Sequence, residues 1–272
     1  MKRALLTTAL AAATTLMLAG CATTTSPTGR TQHVGAVSQE QLNQMGAQAF
    51  AQAKAEKPQT SDARQSAYVR CVVTAIAHEL PPDWQYNWET AVFVDTSPNA
   101  FALPGGKVGV HTGIFTVARN QDQLAAVIAH EIGHVVSRHH DERITRQLGA
   151  QAGLGIVGAI VGSAYGQGAA NAAGQLGGAA VQGAFLLPNN RKQESEADIV
   201  GQRLMADAGF DPRQAVNLWE NMIAASGSSR PPQWLSTHPD PRSRIQELSS
   251  RAAGLVPAYQ QARARGHTPR CG

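Results

Sequence analysis

The stretch that decides the fold is HEIGH, residues His130–His134. It lies inside an apolar run, Leu124–Val136, and this run predicts a buried helix. On a helix, His130 and His134 share one face because they are four residues apart, and two neutral imidazoles at that spacing can bind one zinc ion. Glu131 is then placed to act as a general base. The alternative is three polar residues that meet by chance. It is disfavoured because unpaired His and Glu side chains are costly to bury.

Length, composition and charge predict one folded domain without a nucleic-acid partner. The chain has 272 residues, of which 43% are hydrophobic and 15% are charged, which is enough for a sizeable core. The formal net charge is +4, and two of the basic residues, Lys2 and Arg3, lie in a segment that we expect to be removed. The basic residues near the end of the chain, at 263, 265 and 270, are typical of a solvated tail. The chain contains no basic motif with interleaved aromatic residues.

The first twenty residues predict an export signal. A short basic start is followed by an apolar stretch that is too short to span a bilayer. The sequence LAGC at Leu18–Cys21 resembles the bacterial lipobox, in which Cys21 becomes the lipid-modified N-terminus; an ordinary secretory signal with a chance cysteine is the alternative. Ala22 follows the cysteine where some sorted lipoproteins have Asp. This resemblance implies a protein anchored by lipid to the outer membrane and facing the periplasm. Residues 21–36 are then expected to form a flexible tether.

Two cysteines remain after the export signal, Cys71 and Cys271. An exported protein lies in an oxidising compartment, where two such residues can form a disulfide that closes almost the whole domain. Two separate free thiols are the alternative. Their spacing is not that of zinc ligands.

Ahead of the HEIGH motif, the hydrophobic pattern of the sequence changes from that of helices to that of strands. A polar helix is predicted from Ser38 to about Lys57 and a core-facing helix from Asp62 to Leu80. Short strands follow, and PGGK at Pro104–Lys107 predicts a hairpin turn. Helices return from Gln121 to about His140 and again from Glu194. The predicted fold is therefore α+β and mostly helical, with a small antiparallel sheet beside the zinc helix.

Residues 147–190 contain no charged residue and are rich in Gly and Ala. Their most apolar part is about fourteen residues long, short of the roughly twenty that a membrane-spanning helix needs. We expect a lid or helical hairpin beside the site, with a membrane-inserted segment as the alternative. Residues 37–256 are predicted to form a single domain, and residues 257–272 a basic C-terminal tail.

A catalytic zinc ion needs a third protein ligand, and two candidates compete. His140 would complete a pattern close to that of the metzincins, but that pattern requires Gly where this chain has Ser137, and nothing nearby is expected to break the helix. On an unbroken helix His140 points away. Glu194 can bind zinc instead, while Asp198, four residues later on the same face, hydrogen-bonds a ligating histidine. Glu196 is expected to face elsewhere.

The combination of motifs resembles the HtpX-like and CAAX-prenyl-endopeptidase-type zinc metallopeptidases, most closely their periplasmic lipoprotein branch. The motifs are HEIGH, then ESEAD from Glu194, then Ser236–Pro239 with a following arginine, and NAFALPGG from Asn99. The resemblance covers roughly residues 65–250. Clear transmembrane helices and appended repeats, which some members have, are not seen in this sequence.

The resemblance implies a gluzincin-like fold in which His130, His134 and Glu194 bind one zinc ion per chain and Glu131 is the base. It also places His238 near the metal. There it would occupy the open zinc position in a resting state or assist the substrate oxygen, with a loop anchor as the alternative. Arg244 would stabilise the oxyanion or pair with an acid such as Asp198.

The implied function is a zinc-dependent endopeptidase of the cell envelope that hydrolyses unfolded or misassembled proteins, with the outer-membrane assembly machinery as a possible partner. The alternative is a non-catalytic periplasmic chaperone or scaffold for outer-membrane protein assembly. The peptidase function requires Glu131 in cells, whereas the chaperone function does not.

Overall fold

A computed structural model describes residues 22–149, 190–225, 238 and 241–272. The chain divides into two compact units. Among the described residues, the first unit comprises 22–39 and 140–149, and the second comprises 40–139, 190–225, 238 and 241–272. Residues 1–21, with the predicted lipobox cysteine, and residues 150–189, most of the predicted lid, lie outside the described residues.

The first unit contains a hairpin where the sequence predicts a flexible tether. Strands β1 (Ala22–Thr25) and β2 (Thr31–Val34) pair antiparallel. The guanidinium of Arg30, in the connecting turn, donates two hydrogen bonds of 2.8 and 2.9 Å to the carboxylate of Glu142. The tether prediction is wrong for these residues because β-branched threonines favour paired strands, and β2 buries alternate side chains.

The second unit begins with two helices, α1 (Gln39–Glu56) and α2 (Ala63–Ala77). Asp62 caps α2, since its side chain accepts a hydrogen bond of 2.9 Å from the backbone nitrogen of Arg64. The apolar residues that recur at helical spacing on α2 are all buried, as the sequence predicts: Val69, Val72, Val73 and Ile76.

A three-stranded sheet follows, made of β3 (Glu89–Phe93), β4 (Ala100–Leu103) and β5 (Lys107–His111) in the order β3-β5-β4. The predicted hairpin is β4 and β5, which pair antiparallel. Gly105 and Gly106 both have positive φ, 78° and 70°, and so provide the tight turn. The sheet is mixed, not purely antiparallel, because β3 runs parallel to β5.

The described part of the second unit contains further helices, α3 (Gln121–Val136), α4 (Arg191–Asp207), α5 (Gln214–Ala224) and α6 (Pro241–Ala264). Every residue of α3 from Gln123 to Val136 is buried, so α3 is the central helix of the unit. It contacts α2, β4, α4 and α5. The α+β, mostly helical fold with a small sheet beside this helix is confirmed. None of the helices in the described part of the chain is both long enough and apolar enough to cross a bilayer.

Two helix ends differ from the predictions. Helix α3 ends at Val136 and not near His140, because Arg138 adopts a left-handed conformation with φ of 55°. A new helical segment then covers residues 139–149. Helix α6 continues through Pro257 to Ala264, so the first half of the predicted C-terminal tail is helical.

The second half of that tail is attached to the core. Cys71 and Cys271 form a disulfide between α2 and the chain end. The side chain of Gln121, at the start of α3, donates to the carbonyl of Pro269 at 3.0 Å and accepts from the backbone nitrogen of Cys271 at 2.9 Å. The C-terminus therefore packs against the beginning of the central helix.

Candidate metal centre

The two histidines of HEIGH face each other from successive turns of α3. The helix starts at an Asn120 cap, whose side chain accepts a hydrogen bond of 2.9 Å from the backbone nitrogen of Gln123. His130 and His134 lie on one face of α3 because they are four residues apart, close to one helical turn, and both are buried. Their Nε2 atoms lie 3.0 Å apart. Two nitrogens that can each accept a proton or a cation are thus directed at one point.

Helix α4 brings Glu194 to the same point. Asn190 and Gln193 form a reciprocal capping box at the start of α4, which fixes the first turn where Glu194 lies. One carboxylate oxygen of Glu194, Oε1, is 3.4 Å from His134 Nε2, and the other, Oε2, is 3.5 Å from His130 Nε2. Glu194 is 1% exposed, so this carboxylate is almost fully removed from solvent.

Glycine allows α3 and α4 to approach so closely. A Cβ atom on Gly133 would lie 2.8 Å from the carbonyl oxygen of Ala197. A Cβ atom on Gly201 would lie 2.8 Å from the backbone nitrogen of His130. Both distances are below those of ordinary contacts, so larger residues would push the helices apart. The glycine in HEIGH therefore belongs to the helix packing that delivers Glu194.

His238 completes the cluster. Its Nδ1 atom is 2.9 Å from Glu194 Oε2 and 3.2 Å from His130 Nε2. Its Nε2 atom is 3.4 Å from Oε1 of Glu131. His238 is buried, so it lies inside the cluster and not at its rim. Its neighbours in the sequence, Ser236, Thr237 and Pro239, lie outside the described residues.

The donor set fits a zinc ion. His130, His134, Glu194 and His238 each offer one ligand atom, and these atoms all lie within 4.8 Å of one another. Glu194 Oε1 is buried, and among the described residues no hydrogen-bond donor reaches it. A buried carboxylate oxygen without a donor is costly unless a cation compensates it. Imidazole nitrogens with a carboxylate oxygen are ligands that zinc prefers.

The charges around the cluster favour a cation. Burial alone would raise the pKa of Glu194, but His238, His134 and His130 hold it well below its usual value. Burial and the nearby Arg244 would lower the pKa of His130, but hydrogen bonds with Asp198 and Glu194 raise it to about 9. Burial lowers the pKa of His134 well below its usual value, which favours the neutral imidazole. A neutral imidazole beside a carboxylate is ready to bind a metal.

Asp198 and Arg244 form a buried ion pair behind His130. Asp198 Oδ1 accepts a hydrogen bond of 3.0 Å from His130 Nδ1, which leaves Nε2 directed at the cluster. Arg244 donates to both oxygens of Asp198, at 2.6 and 2.7 Å, and to Glu194 Oε2 at 2.7 Å. The guanidinium also stacks over the ring of Trp219 at 4.0 Å. These contacts favour the second of the two roles expected for Arg244, pairing with acids.

A second buried pair lies behind His134, and sequence reasoning missed it. His134 Nδ1 is 2.7 Å from His139 Nδ1, and His139 Nε2 is 3.1 Å from Glu196 Oε2. The expectation of an unbroken helix through residues 135–138 is wrong, because the left-handed Arg138 redirects the chain and brings His139 back to His134. Glu196 does face away from the metal cluster, as expected. A glutamate on a partly apolar helix, with a histidine pair after HEIGH, is the signal that could have indicated this contact.

His140, the competing third ligand, is not a member of the metal-binding group found among the described residues. It is buried. The group contains Glu194 instead.

A family model named Peptidase family M48 matches residues 63–252. The chain is 43% identical over 162 residues to the mitochondrial metalloendopeptidase OMA1 of Schizosaccharomyces pombe, covering 59% of this chain and 45% of that protein. It is 38% identical over 170 residues to the beta-barrel assembly-enhancing protease of Escherichia coli, covering 60% of this chain and 34% of that protein. The chain thus spans between about a third and a half of the length of these curated relatives.

Proposed function

The chain belongs to peptidase family M48, a family of zinc metalloendopeptidases, and we propose that it degrades unfolded or misassembled proteins of the cell envelope. The observation that carries the proposal is the buried cluster of His130, His134 and Glu194, in which Glu194 Oε1 has no hydrogen-bond donor among the described residues. These three residues are the proposed zinc ligands. His238 is a fourth group at the same point.

Glu131 is the proposed general base and acid. When bound at this cluster, zinc supplies Lewis-acid chemistry, which polarises a peptide carbonyl and makes water more acidic. Glu131 follows the first ligand on α3 and is buried beside the cluster. It takes a proton from the attacking water and passes that proton to the leaving amine. The surrounding apolar residues of α3 exclude bulk water, which strengthens the electrostatic contribution of the carboxylate.

The edge of the sheet supports a preference for unfolded substrates. β4 lies at one edge, since β5 lies between β3 and β4, and β4 contacts α3. Within the described part of the chain, no further strand pairs with the outer edge of β4. An extended peptide can add to such an edge through main-chain hydrogen bonds, whereas a folded segment cannot. This addition would hold the peptide next to the zinc-binding helix.

The proposed location is the outer membrane, facing the periplasm, with a lipid anchor on Cys21. The support is the LAGC motif at Leu18–Cys21 and Ala22 after it. The name of the Escherichia coli relative refers to beta-barrel assembly, which favours an envelope role and contact with outer-membrane assembly machinery. Replacement of Cys21 with Ser should move the protein from the membrane fraction to the soluble periplasmic fraction and abolish incorporation of labelled palmitate. Unchanged labelling would contradict the anchor.

The activity is tested by Glu131→Gln in the mature chain. We expect this variant to keep one zinc ion per chain but to lose cleavage of unfolded casein, because the amide cannot take a proton. Glu220→Gln, the same change at an exposed residue of α5, is the matched control and should cleave like the wild type. Undiminished cleavage by Glu131→Gln would exclude the mechanism. If wild type and Glu131→Gln also perform equally in cells, the chaperone function would replace the peptidase function.

A further inference from the structure

The two proposed ligands on α3 are supported from behind in different ways. His130 contacts a carboxylate directly, since its Nδ1 is 3.0 Å from Asp198 Oδ1. His134 contacts another histidine, His139, at 2.7 Å, and that histidine contacts Glu196 at 3.1 Å. All of these side chains are buried. The proposed peptidase mechanism leaves His139 and Glu196 without a role.

The positions of the ring nitrogens determine where the protons lie. His134 Nε2 faces His130 Nε2 at 3.0 Å and Glu194 at 3.4 Å, so Nε2 is its metal-binding nitrogen. A neutral His134 then carries its proton on Nδ1 and donates it towards His139. His139 Nδ1 must accept this hydrogen bond, because two N–H groups cannot face each other at 2.7 Å.

The same logic continues to Glu196. If His139 accepts at Nδ1, its own proton lies on Nε2. That nitrogen is 3.1 Å from Glu196 Oε2, a carboxylate oxygen that can only accept. The chain of donors and acceptors is therefore consistent from Glu196 through His139 to His134, with one proton in each contact.

We propose that His139, held by Glu196, is a positioning residue that fixes the tautomer and ring plane of His134 for metal binding. The inference rests on the proposed function, because it assumes that His134 is a zinc ligand. It resembles the support of a ligating histidine by a carboxylate, but with an imidazole inserted between the two.

The backbone explains why an imidazole is needed. Helix α3 ends at Val136, and Arg138 has a φ of 55°, in the left-handed region that non-glycine residues rarely occupy. This turn places His139, only five residues after His134, beside the His134 ring. Glu196 lies on α4, two residues from Asp198, and contacts His139, which in turn contacts His134. Non-glycine residues held in this region are strained and cluster at functional sites, so the turn at Arg138 is consistent with a functional role.

The tautomers are tested directly by ¹⁵N chemical shifts of the histidine rings in the zinc-loaded mature protein. We expect His134 to be protonated at Nδ1 and bound to metal at Nε2, and His139 to be protonated at Nε2 alone. A His139 ring protonated at Nδ1, or at both nitrogens, would overturn the proposal. This measurement needs no variant and is independent of catalytic activity.

Zinc affinity, measured by competition with a chromogenic chelator, is the second readout. We expect His139→Ala to weaken zinc binding about 10- to 100-fold, the usual effect of removing a group that orients a ligand. His139→Asn retains an acceptor oxygen close to the ring and should restore most of the loss. Glu196→Gln should give an intermediate loss, because its amide can still accept from His139.

The matched control is His111→Asn. His111 is also buried and also contacts a carboxylate, Asp95, but it lies at the end of β5 outside the cluster. Its replacement should leave zinc affinity unchanged. Equal losses in His111→Asn and His139→Ala would indicate a general effect on the fold and would overturn the proposal.

The outcomes separate this inference from the proposed function. A wild-type chain that binds no zinc contradicts the proposed function. If the wild type binds zinc, and His139→Ala and Glu196→Gln bind it equally tightly, only the positioning role is contradicted. If His139→Ala does not fold, the nitrogen shifts of the wild type and the affinity of Glu196→Gln decide the matter.

Discussion

Gly201 of α4 lies directly against the backbone of His130 on α3, so close that a Cβ atom at Gly201 would be 2.8 Å from the His130 nitrogen. The obstructing atoms are backbone atoms, which cannot rotate away. Gly201→Ala should therefore force the two helices apart, lower the free energy of unfolding by about 1–3 kcal/mol and weaken zinc binding. Chemical denaturation and zinc titration measure the two effects.

Gly254→Ala is the control for this change. Gly254 lies in α6, and a Cβ atom there would have no atom within 4 Å. The substitution should stabilise the protein by roughly 0.5–1 kcal/mol, because alanine is favoured over glycine within a helix. If Gly201→Ala is stabilised as well, then the close approach of α3 and α4 does not require a glycine at position 201.

The identity of the third ligand is tested by comparing Glu194→Gln with His140→Asn. Of these two residues, only Glu194 belongs to the metal-binding group found among the described residues. Glu194→Gln should lower bound zinc from one ion per chain to a substoichiometric level, because the amide oxygen carries no charge. His140→Asn should keep full occupancy, measured by elemental analysis after dialysis. The reverse result would favour the metzincin-like arrangement.

Arg244 should determine how stability depends on pH. Burial alone would raise the pKa of Asp198, but the Arg244 charge and its hydrogen bonds hold that pKa below its usual value. The ion pair therefore stabilises the fold above the unfolded pKa of about 3.9, and this contribution is lost as the pH falls through the lower folded pKa. Arg244→Met should cost about 3–5 kcal/mol at neutral pH, because it leaves buried carboxylates uncompensated.

In Arg244→Met, Asp198 loses the largest of the influences that lower its pKa, so that pKa should be higher than in the wild type. The penalty should ease as the pH falls through that raised pKa, so the difference from the wild type should narrow towards acid pH. Denaturation of the zinc-free proteins at a series of pH values measures this difference. Arg213→Met removes an exposed pair with Asp211 and should show little change at any pH. A difference that stays constant with pH would show that Arg244 does not control the pKa of Asp198.

His238 should restrain the resting enzyme. Its Nδ1 atom lies 2.9 Å from Glu194 Oε2 and 3.2 Å from His130 Nε2, so it can compete with a substrate oxygen for the proposed zinc ion. His238→Ala should retain zinc, because three ligands remain, and should cleave casein faster than the wild type. His78→Ala, at an exposed histidine, should have no effect. A lower kcat with an unchanged KM would instead assign His238 to assistance of the substrate oxygen.

The sequence was sufficient for the parts of the site that depend on local spacing. HEIGH and the Glu194–Asp198 pair are each four-residue separations on a helix, so the face that each presents follows from helical geometry alone. The core face of α2 and the β4–β5 hairpin were predictable for the same reason, since apolar periodicity and a Pro-Gly-Gly turn are local signals.

The parts that were not predicted depend on tertiary contacts or on an unusual backbone. No residue type near Arg138 favours a left-handed conformation, so the end of α3 and the contact of His139 with His134 could not be read from the pattern. Glu196 was correctly predicted to face away from the metal cluster. Its contact with His139 depends on the left-handed turn at Arg138, and so it was not predicted. The hairpin at Ala22–Val34 is stabilised by Glu142, more than a hundred residues away in the sequence.

The disulfide between Cys71 and Cys271 turns most of the chain into a covalent ring. All of the proposed zinc ligands lie within this ring, between the two cysteines. A protease that accepts unfolded segments can be cleaved by other copies of itself. A single backbone cut within the ring opens the ring but releases no fragment, because the disulfide still joins the two pieces. His130 and Glu194, on opposite sides of such a cut, would remain in one molecule at a high effective concentration. A molecule that is cut once within the ring should therefore stay in one piece only where the disulfide persists.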